Sequence, residues 1–249
     1  MVSRKPGALM CNELIRFARY EVSDPAKKRM ELILKYMGSE PILDAGCGTG
    51  WLMAFLARNG FDVTGLDLSR NSLRISKRFF SEINAEAKIV LGSMQQIPLP
   101  NSYFGTVVLF DVLEHVKEIS MALSEVKRIT KKGGHILITL PNATGSYSLI
   151  NDVLKERMLM KALPFKAITQ YETLRHHHRH LHHYSWWAKL LNQHGFTIVK
   201  RHNIEILTPL LSVFLDGEFL KRMSYYDTQN ADIFPPFVAS EWFIKCIKR

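Results

Sequence analysis

The sequence is poor in cysteine and has no long apolar run. Its 249 residues include three cysteines, Cys11, Cys47 and Cys246, which lie far apart without a spacing typical of metal sites. An odd and sparse set of cysteines argues against a disulfide framework and favours a reducing compartment. The longest apolar stretch, 207–215, is much shorter than the roughly 20 residues of a membrane-spanning helix. We therefore expect a cytoplasmic protein without a membrane span.

Acidic residues are a minority in this chain. There are 23 Asp and Glu residues against 33 Lys and Arg, which gives a formal net charge of +10. This excess favours anionic partners, such as phosphate-bearing substrates, nucleic acid or anionic lipid. An amino-terminal apolar stretch is broken by Asn12 and Glu13, so we expect no signal peptide. A hydrophobic content of 47% excludes a disordered chain.

Short apolar strands alternate with amphipathic helices in the first two thirds of the chain. The predicted strands are 42–46, 61–67, 87–92, 105–110, 135–141, 196–203 and 240–248. The predicted helices are 8–20, 24–37, 49–59, 70–82, 118–130 and 185–196. Such alternation implies βαβ units and a buried parallel sheet. We predict an α/β fold with a Rossmann-like, seven-stranded, mostly parallel sheet flanked by helices, with N-terminal helices and two substrate-side inserts.

A glycine-rich turn, DAGCGTG at 44–50, joins the first strand to its helix. Glycines allow a tight turn and a close approach of a ligand to the helix N-terminus. A dinucleotide fingerprint would require a third glycine where Trp51 stands, and Asp44 at the strand tip would repel a pyrophosphate. Asp44 instead suits a ligand that carries an ammonium or a sulfonium. Asp67, about 20 residues further on, is placed to accept ribose hydroxyls.

These segments resemble the class I S-adenosylmethionine-dependent methyltransferases, and in particular their small-molecule branch. LDAGCGTG matches the first motif of that family, LDLS at 66–69 the second, and 92–116 the stretch through the fourth strand. The similarity is dense over 41–141 and looser over 180–203. It implies an enzyme that uses S-adenosylmethionine as its cofactor.

The resemblance also assigns roles to individual positions. It implies that Asp44 and the glycine turn hold the methionine part of the cofactor, that Asp67 takes the ribose hydroxyls, and that Leu68 packs on the adenine. Ser93 stands where the family often has an aspartate that contacts the adenine edge. The expected cofactor contacts are Tyr20, Asp44, Gly46, Cys47, Gly48, Gly50, Asp67, Leu68, Ser93, Met94, Phe110 and Asp111. Tyr20 either closes over the cofactor or packs on the sheet.

Two histidines are candidates for catalysis. His115 and Asp111 are four residues apart and would share a face if that stretch were helical, which would bring His115 near the methyl group as a general base. Alternatively, Glu114 and His115 cap and orient the loop. His180 belongs to a histidine-rich segment, 176–183, which is interpreted as a solvated basic loop, a substrate contact or a metal site. Its spacing is not a zinc pattern, so we expect no metal.

We interpret 1–249 as a single methyltransferase domain. In this interpretation 1–40 form an N-terminal helical cap, 41–141 the cofactor-binding core, and 142–184 and 204–238 the inserts on the acceptor side. The expected function is methyl transfer to an O, N or C atom of a small-molecule or lipid-like acceptor, for which the charge suggests an anionic group. An RNA methyltransferase is the alternative suggested by the charge, and a non-catalytic S-adenosylmethionine-binding protein is the second. We expect no nucleic-acid partner, because basic residues are not interleaved with aromatic ones in a stripe.

Overall fold

The computed structural model describes residues 23–145, 179–214 and 217–249. The predicted helix at 8–20, Tyr20 and the histidines at 176–178 lie outside these ranges. The helices are α1 (Asp24–Tyr36), α2 (Trp51–Arg58), α3 (Arg70–Glu82), α4 (Ile119–Ile129), α5 (Tyr184–Gln193), α6 (Thr208–Phe214) and α7 (Gly217–Asn230). The strands are β1 (Ile42–Ala45), β2 (Val63–Asp67), β3 (Lys88–Leu91), β4 (Phe104–Leu109), β5 (Thr130–Pro141), β6 (Phe196–Glu205) and β7 (Glu241–Lys248).

All seven strands belong to one sheet, in the order β3-β2-β1-β4-β5-β7-β6. The pairs among β1 to β5 are parallel. Strand β7 runs against β6, because Ser240 N bonds to Glu205 O at one end of β6 and Arg249 N bonds to Gly195 O at the other. The predicted α/β fold with a mostly parallel seven-stranded sheet is confirmed.

By its contacts the chain divides into two compact units. The first comprises Met1–Lys35, Leu140–Trp186 and Arg201–Phe243, and the second comprises Tyr36–Thr139, Trp187–Lys200 and Ile244–Arg249. The second unit contains β1 to β4 and the helices α2 to α4. Every residue of β1 and β4 is buried, as the continuous apolar runs at these positions predict for central parallel strands.

Helices α3 and α4 each bury one stripe of their surface, whereas α2 buries five consecutive residues, 52–56. Helix α4 buries Ile119, Ala122, Leu123, Val126 and Ile129, which recur every three or four residues. Helix α3 begins at a serine cap, in which Ser69 Oγ accepts a hydrogen bond from Ser72 N at 3.1 Å. Sequence periodicity therefore explains both the position and the orientation of these helices.

Several boundaries differ from those that the sequence predicts. The sequence predicts a turn at Gly133-Gly134, but β5 begins before it, at Thr130. The register against β4 shifts between Phe104 and Thr106, so the two glycines lie in an irregular stretch of a continuous strand. Helix α5 spans Tyr184–Gln193, whereas the sequence predicts a helix over 185–196. The insert 204–238, for which the sequence predicts no elements, contains α6, α7 and two short 3₁₀ turns.

Two further observations apply to the described residues alone. Within 23–145, 179–214 and 217–249, no helix is both long enough and apolar enough to cross a bilayer. The same ranges hold no group of three or more His, Cys, Asp or Glu side chains suited to a metal ion.

Candidate functional site

The glycine turn after β1 is built from residues in the left-handed region. Gly46 has φ 87° and Gly48 has φ 53°. Residues other than glycine rarely adopt such positive φ values. Gly46 N donates to Leu66 O at 2.7 Å, so the turn is fixed to the end of β2. A Cβ at Gly46 would lie 2.4 Å from Val112 Cγ2, whereas a Cβ at Gly48 would have no atom within 4 Å. The turn is therefore packed on one side and open on the other.

Asp67 ends β2 and is bonded to the same turn. Its Oδ2 accepts a hydrogen bond from Gly48 N at 2.8 Å, and its Oδ1 accepts one from Ser69 N at 2.7 Å. A carboxylate offers about four lone-pair positions, so each oxygen can accept one further donor. Because the side chain is only half-buried, those positions are accessible to a ligand that carries two neighbouring hydroxyls.

Asp44, in the half of β1 nearer the turn, is the buried carboxyl of the site. Only 4% of its surface is exposed. Burial, together with the nearby charge of Asp67, raises the pKa of Asp44 to about 7. Burial is also the main reason why the pKa of the Cys47 thiol lies far above its usual value. The carboxylate form of Asp44 is costly at this position, and a cationic ligand group would stabilise it.

Three of the predicted cofactor contacts, Leu68, Ser93 and Met94, lie in the loops after β2 and β3. Leu68 is 73% exposed, which is unusual for a leucine directly after a buried strand, whereas Met94 is buried. Ser93 Oγ accepts a hydrogen bond from Gln95 N at 3.2 Å. The serine that replaces the expected aspartate therefore closes a local turn.

The chain turns sharply after β4. Asp111 has φ 54°, its N–H donates to Thr139 Oγ1 at 3.0 Å, and the hydroxyl of Thr139 donates to Asp111 Oδ1 at 2.8 Å. His115 N donates to Val112 O at 3.0 Å, which closes a turn and not a helix. The helical stretch that would have placed Asp111 and His115 on one face is absent between these two residues. Phe110 precedes the turn and is half-buried.

Glu114 and His115 differ in burial although they are neighbours. The side chain of Glu114 is 2% exposed and that of His115 is 38% exposed, with 3.8 Å between Glu114 Oε1 and His115 Nε2. The pair therefore places an accessible imidazole beside a buried carboxyl group.

His180 lies in the first unit, where it belongs to a row of rings. The His180 and His182 ring centroids are 5.9 Å apart, and His182 stacks on Trp186 at 3.5 Å. His182 also pairs with the buried Asn142, since Ala143 N donates to His182 O. Burial lowers the pKa of His182, with smaller contributions from His180 and His183. His182 is therefore part of a packed structure and not of a solvated basic loop.

Sequence reasoning missed two residues that hold this site in place. Thr139 on β5 fixes Asp111, and Arg128 on α4 donates to Ile97 O at 2.7 Å and to Leu99 O at 2.9 Å in the loop that follows Met94. A threonine in an otherwise apolar strand was a usable signal for Thr139. No comparable signal in the sequence pointed to Arg128, because the backbone oxygens to which it donates lie 29 or more residues away.

The predicted cofactor contacts of the second unit converge at the carboxyl ends of adjacent strands. Asp44 lies near the end of β1 and the glycine turn follows that strand. Asp67 ends β2, Leu68 follows it, and Phe110 follows β4, with β2 and β4 on either side of β1. Ligands of open parallel sheets bind at this edge. A buried carboxyl group, two accessible carboxylate oxygens and an exposed leucine suit a ligand that combines a cation, a diol and an apolar ring system.

Comparisons with known proteins agree with this description. Residues 43–138 match a family model described as a methyltransferase domain. The chain is 29% identical over 142 residues to a ubiquinone biosynthesis O-methyltransferase of Alkalilimnicola ehrlichii, covering 55% of this chain and 56% of that protein. It is 32% identical over 133 residues to a malonyl-[acyl-carrier protein] O-methyltransferase of Serratia marcescens, covering 52% of this chain and 50% of that protein. The chain thus spans about half the length of the curated relatives it matches.

A solved structure extends the likeness in fold over most of the chain. The SAM-dependent methyltransferase of Methanosarcina mazei superposes with a TM-score of 0.61 at 18% identity, covering 87% of this chain and 96% of that one. At this identity the likeness concerns the fold alone.

Proposed function

We propose that this chain, whose residues 43–138 match the model of a methyltransferase domain, is a class I S-adenosylmethionine-dependent methyltransferase that transfers a methyl group to a small-molecule or lipid-like acceptor. The observation that carries the proposal is the joint placement of the buried Asp44, the open turn at Gly48 and the accessible carboxylate of Asp67. An oxygen acceptor is favoured over nitrogen or carbon, because the two curated relatives named above are O-methyltransferases.

The residues of the turn and of β2 would hold the cofactor. Asp44 would face its cationic methionine part, beside the backbone of Gly46, Cys47, Gly48 and Gly50. Asp67 would accept the ribose hydroxyls, and Leu68 would cover the adenine. The remaining contacts of the proposed site are Ser93, Met94, Phe110, Asp111 and, from outside the described residues, Tyr20.

S-adenosylmethionine, when bound, supplies an electrophilic methyl group on a sulfonium. The protein's main contribution is to hold the acceptor in line with that group, which is worth roughly 7 to 11 kcal/mol in well-oriented reactions. Exclusion of water and fixed orientation therefore matter more than a large catalytic set.

His115 is proposed as the general base for a hydroxyl acceptor. Its imidazole would take the acceptor proton, and the buried carboxylate of Glu114, 3.8 Å away, would stabilise the imidazolium that results. A positioned base of this kind contributes typically 10²–10⁴-fold. His180 is proposed as a contact to the acceptor, supported by its place in the row of rings with His182 and Trp186.

The proposal also includes the charge of the acceptor, the organisation of the domain and the cellular location of the protein. Residues 151–201 contain 9 basic and 3 acidic side chains, which supports an anionic acceptor. The proposed organisation is a single domain with a cap at 1–40, a core at 41–141 and inserts at 142–184 and 204–238. A cytoplasmic location is supported by Cys47 and Cys246, which are buried free thiols.

Two measurements test the proposal. Isothermal titration should detect micromolar binding of S-adenosylmethionine and of its demethylated product, and failure to bind either would refute it. Methyl transfer is then measured with radiolabelled cofactor against a panel of phenols, carboxylic acids and their phosphorylated analogues. His115→Gln should lower the turnover by on the order of 10²-fold, with cofactor affinity within about twofold of the wild type. Equal turnover would assign Glu114 and His115 to loop structure only.

A further inference from the structure

One stripe of helix α3 is basic and lies beside the edge of the sheet. A groove with a volume of about 340 Å³ is lined by residues of this helix and of strand β3. The four lining residues of α3 follow one another at intervals of three, one and three positions, so they share one face of the helix. The complete lining, which we call the basic groove, consists of Arg70, Leu73, Arg74, Lys77, Ile89 and Leu91. None of these residues is among the proposed cofactor contacts.

The charged side chains of the basic groove are all cations. Arg70, Arg74 and Lys77 are exposed, and none of them forms an ion pair within the described part of the chain. Arg74 Nη2 donates instead to a neutral group, Asn71 Oδ1, at 2.9 Å. Residues 70–91 carry 5 basic and 2 acidic side chains, and neither of the acidic ones lines the groove. The groove therefore presents its positive charge to an anionic partner.

Strand β3 forms one edge of the sheet and offers backbone hydrogen-bonding groups on its open side. Among the described strands it pairs with β2 alone. Gly92 N donates to Asp67 O at 3.0 Å, and the residues of a parallel strand alternately face the neighbouring strand and face away from it. Every second residue before Gly92 therefore also faces β2, whereas Ile89 and Leu91 direct their N–H and C=O groups to the open side. The side chains of the same two residues line the basic groove.

An extended peptide matches both parts of this surface. Its backbone can add a strand to an open sheet edge, and its alternate side chains, about 7 Å apart, lie on one face. Arg70 and Lys77 are seven residues apart, which corresponds to about 10 Å along a helix. Two acidic side chains on one face of an added strand would cover this distance. The backbone of the peptide would then bind at β3 while its carboxylates meet the cations of α3.

We propose that the basic groove and the open edge of β3 bind an extended acidic segment of a partner protein, which adds a strand to the sheet. A peptide fits better than RNA, because the lining of the groove contains no aromatic side chain on which a base could stack. It also fits better than a second copy of the chain, because pairing through the same edge would bring two sets of cations together. Binding of the peptide is independent of the proposed methyl transfer.

The test is fluorescence anisotropy of the full chain with a labelled peptide of alternating glutamate and valine, whose extended form places every glutamate on one face. Wild type should bind this peptide with micromolar affinity, and added salt should weaken the binding. Arg74→Glu should weaken it by about tenfold, because a repulsion replaces an attraction. Two further peptides carry methyl groups on the amide nitrogens of either the valines or the glutamates. One of the two should bind about tenfold more weakly, since only one set of N–H groups faces β3.

The matched control is Arg78→Glu, which makes the same change of charge at an exposed residue of α3 outside the groove. Its affinity for the peptide should stay within about twofold of wild type. Both variants should bind the demethylated cofactor as wild type does, so that a failure of peptide binding is distinct from a failure of the proposed function. The proposal is overturned if wild type does not bind the peptide, if Arg74→Glu and Arg78→Glu bind it equally, or if both methylated peptides bind as the unmethylated one does. It is also overturned if oligouridine binds more tightly than the peptide and displaces it.

Discussion

The carboxylate of Asp67 accepts hydrogen bonds from the backbone of the glycine turn and of Ser69, and it is also proposed to bind the ligand. Since it already accepts Gly48 N and Ser69 N, removal of the side chain would loosen the turn and would also delete the two proposed ribose contacts. We expect Asp67→Ala to weaken binding of S-adenosylhomocysteine by on the order of 100-fold, as the loss of two hydrogen bonds to a charged group implies. Isothermal titration measures this change directly.

The control for this variant is Asp62→Ala, because Asp62 is an exposed aspartate immediately before the same strand. It should leave affinity unchanged. Asp67→Asn keeps one acceptor oxygen and should fall between wild type and Asp67→Ala. An affinity of Asp67→Ala equal to that of wild type would refute the assignment of the ribose contact.

Asp44 makes cofactor binding dependent on pH. Its pKa of about 7 in the ligand-free protein means that the carboxyl is mostly protonated below that pH, and a cationic ligand favours the ionised form. Binding should therefore release a proton, and the affinity for S-adenosylmethionine should rise by on the order of tenfold between about pH 5.5 and pH 7.5. Titration in buffers of different ionisation enthalpy measures both effects.

Asp44→Asn is the control, and it should bind weakly at every pH in that range. It should also raise the melting temperature of the ligand-free protein at pH 8. The folded-state pKa of Asp44 lies above the ordinary value of 3.8, so the folded state holds a proton that the unfolded chain has lost. Stability therefore falls as the pH rises from about 4 to about 7. A wild-type affinity that is flat across the range would contradict the role of Asp44.

The sequence predicted residues that stand at motif positions and missed those that support them. Asp44 and Asp67 could be identified because strand ends and glycines mark them in a short window. Thr139 and Arg128 act on residues 28 or more positions away, and such pairings depend on which strands become neighbours. Sequence order alone does not contain that information.

At the scale of elements, helices and strands were predicted where local periodicity determines them. Helix α3 occupies 70–82 as expected, because its serine cap and buried stripe are both local features. The stretch after Asp111, for which a helix was one option, is a turn, since Asp111 adopts φ 54° and bonds to Thr139. Strand β5 extends through two glycines that interrupt its regular pairing, since residues 131–134 stand opposite the single residue Gly105 of β4 and Gly133 has φ 71°.

The glycine turn gives a prediction at this scale. Gly46→Ala combines a positive φ of 87° with a Cβ 2.4 Å from Val112 Cγ2. We expect it to lower the free energy of unfolding by about 3 kcal/mol and to weaken cofactor binding. Urea unfolding measures the first effect, and titration with S-adenosylhomocysteine measures the second.

Gly60→Ala isolates the backbone contribution to that loss. Gly60 has φ 79°, and a Cβ at this residue would have no atom within 4 Å, so the loss of stability should be about 1 kcal/mol. Val112→Ala combined with Gly46→Ala should restore part of the lost stability, since it removes the clash. Equal losses in Gly46→Ala and Gly60→Ala would show that close packing against Val112 is unimportant.

At the scale of the whole molecule, charge and function are separated along the chain. Residues 41–141 carry 11 basic and 9 acidic side chains, whereas 142–249 carry 14 and 9. The core that is proposed to bind a cationic cofactor is therefore nearly neutral. The positive excess lies mainly in residues 151–201, with 9 basic and 3 acidic side chains, whereas the insert 204–238 carries 2 basic and 5 acidic ones. An anionic acceptor would therefore be met by the first insert and not by the second.

The chain should unfold in one transition although its contacts define two compact units. Strands β5, β6 and β7 each begin in one unit and end in the other, with the divisions at Thr139/Leu140, Lys200/Arg201 and Phe243/Ile244. If one unit melted alone, the parts of these three strands in the other unit would lose their continuations, so we expect cooperative unfolding. S-adenosylhomocysteine at about 100 times its Kd should stabilise the folded state by about 2.7 kcal/mol and raise the Tm by about 5 to 11 °C. Scanning calorimetry should show one peak that shifts as a whole, and Asp67→Ala should shift by only about 1 to 2 °C at the same ligand concentration, because the variant would be about half-saturated. Two peaks, with only one responding to the ligand, would mean that the shared strands do not couple the units.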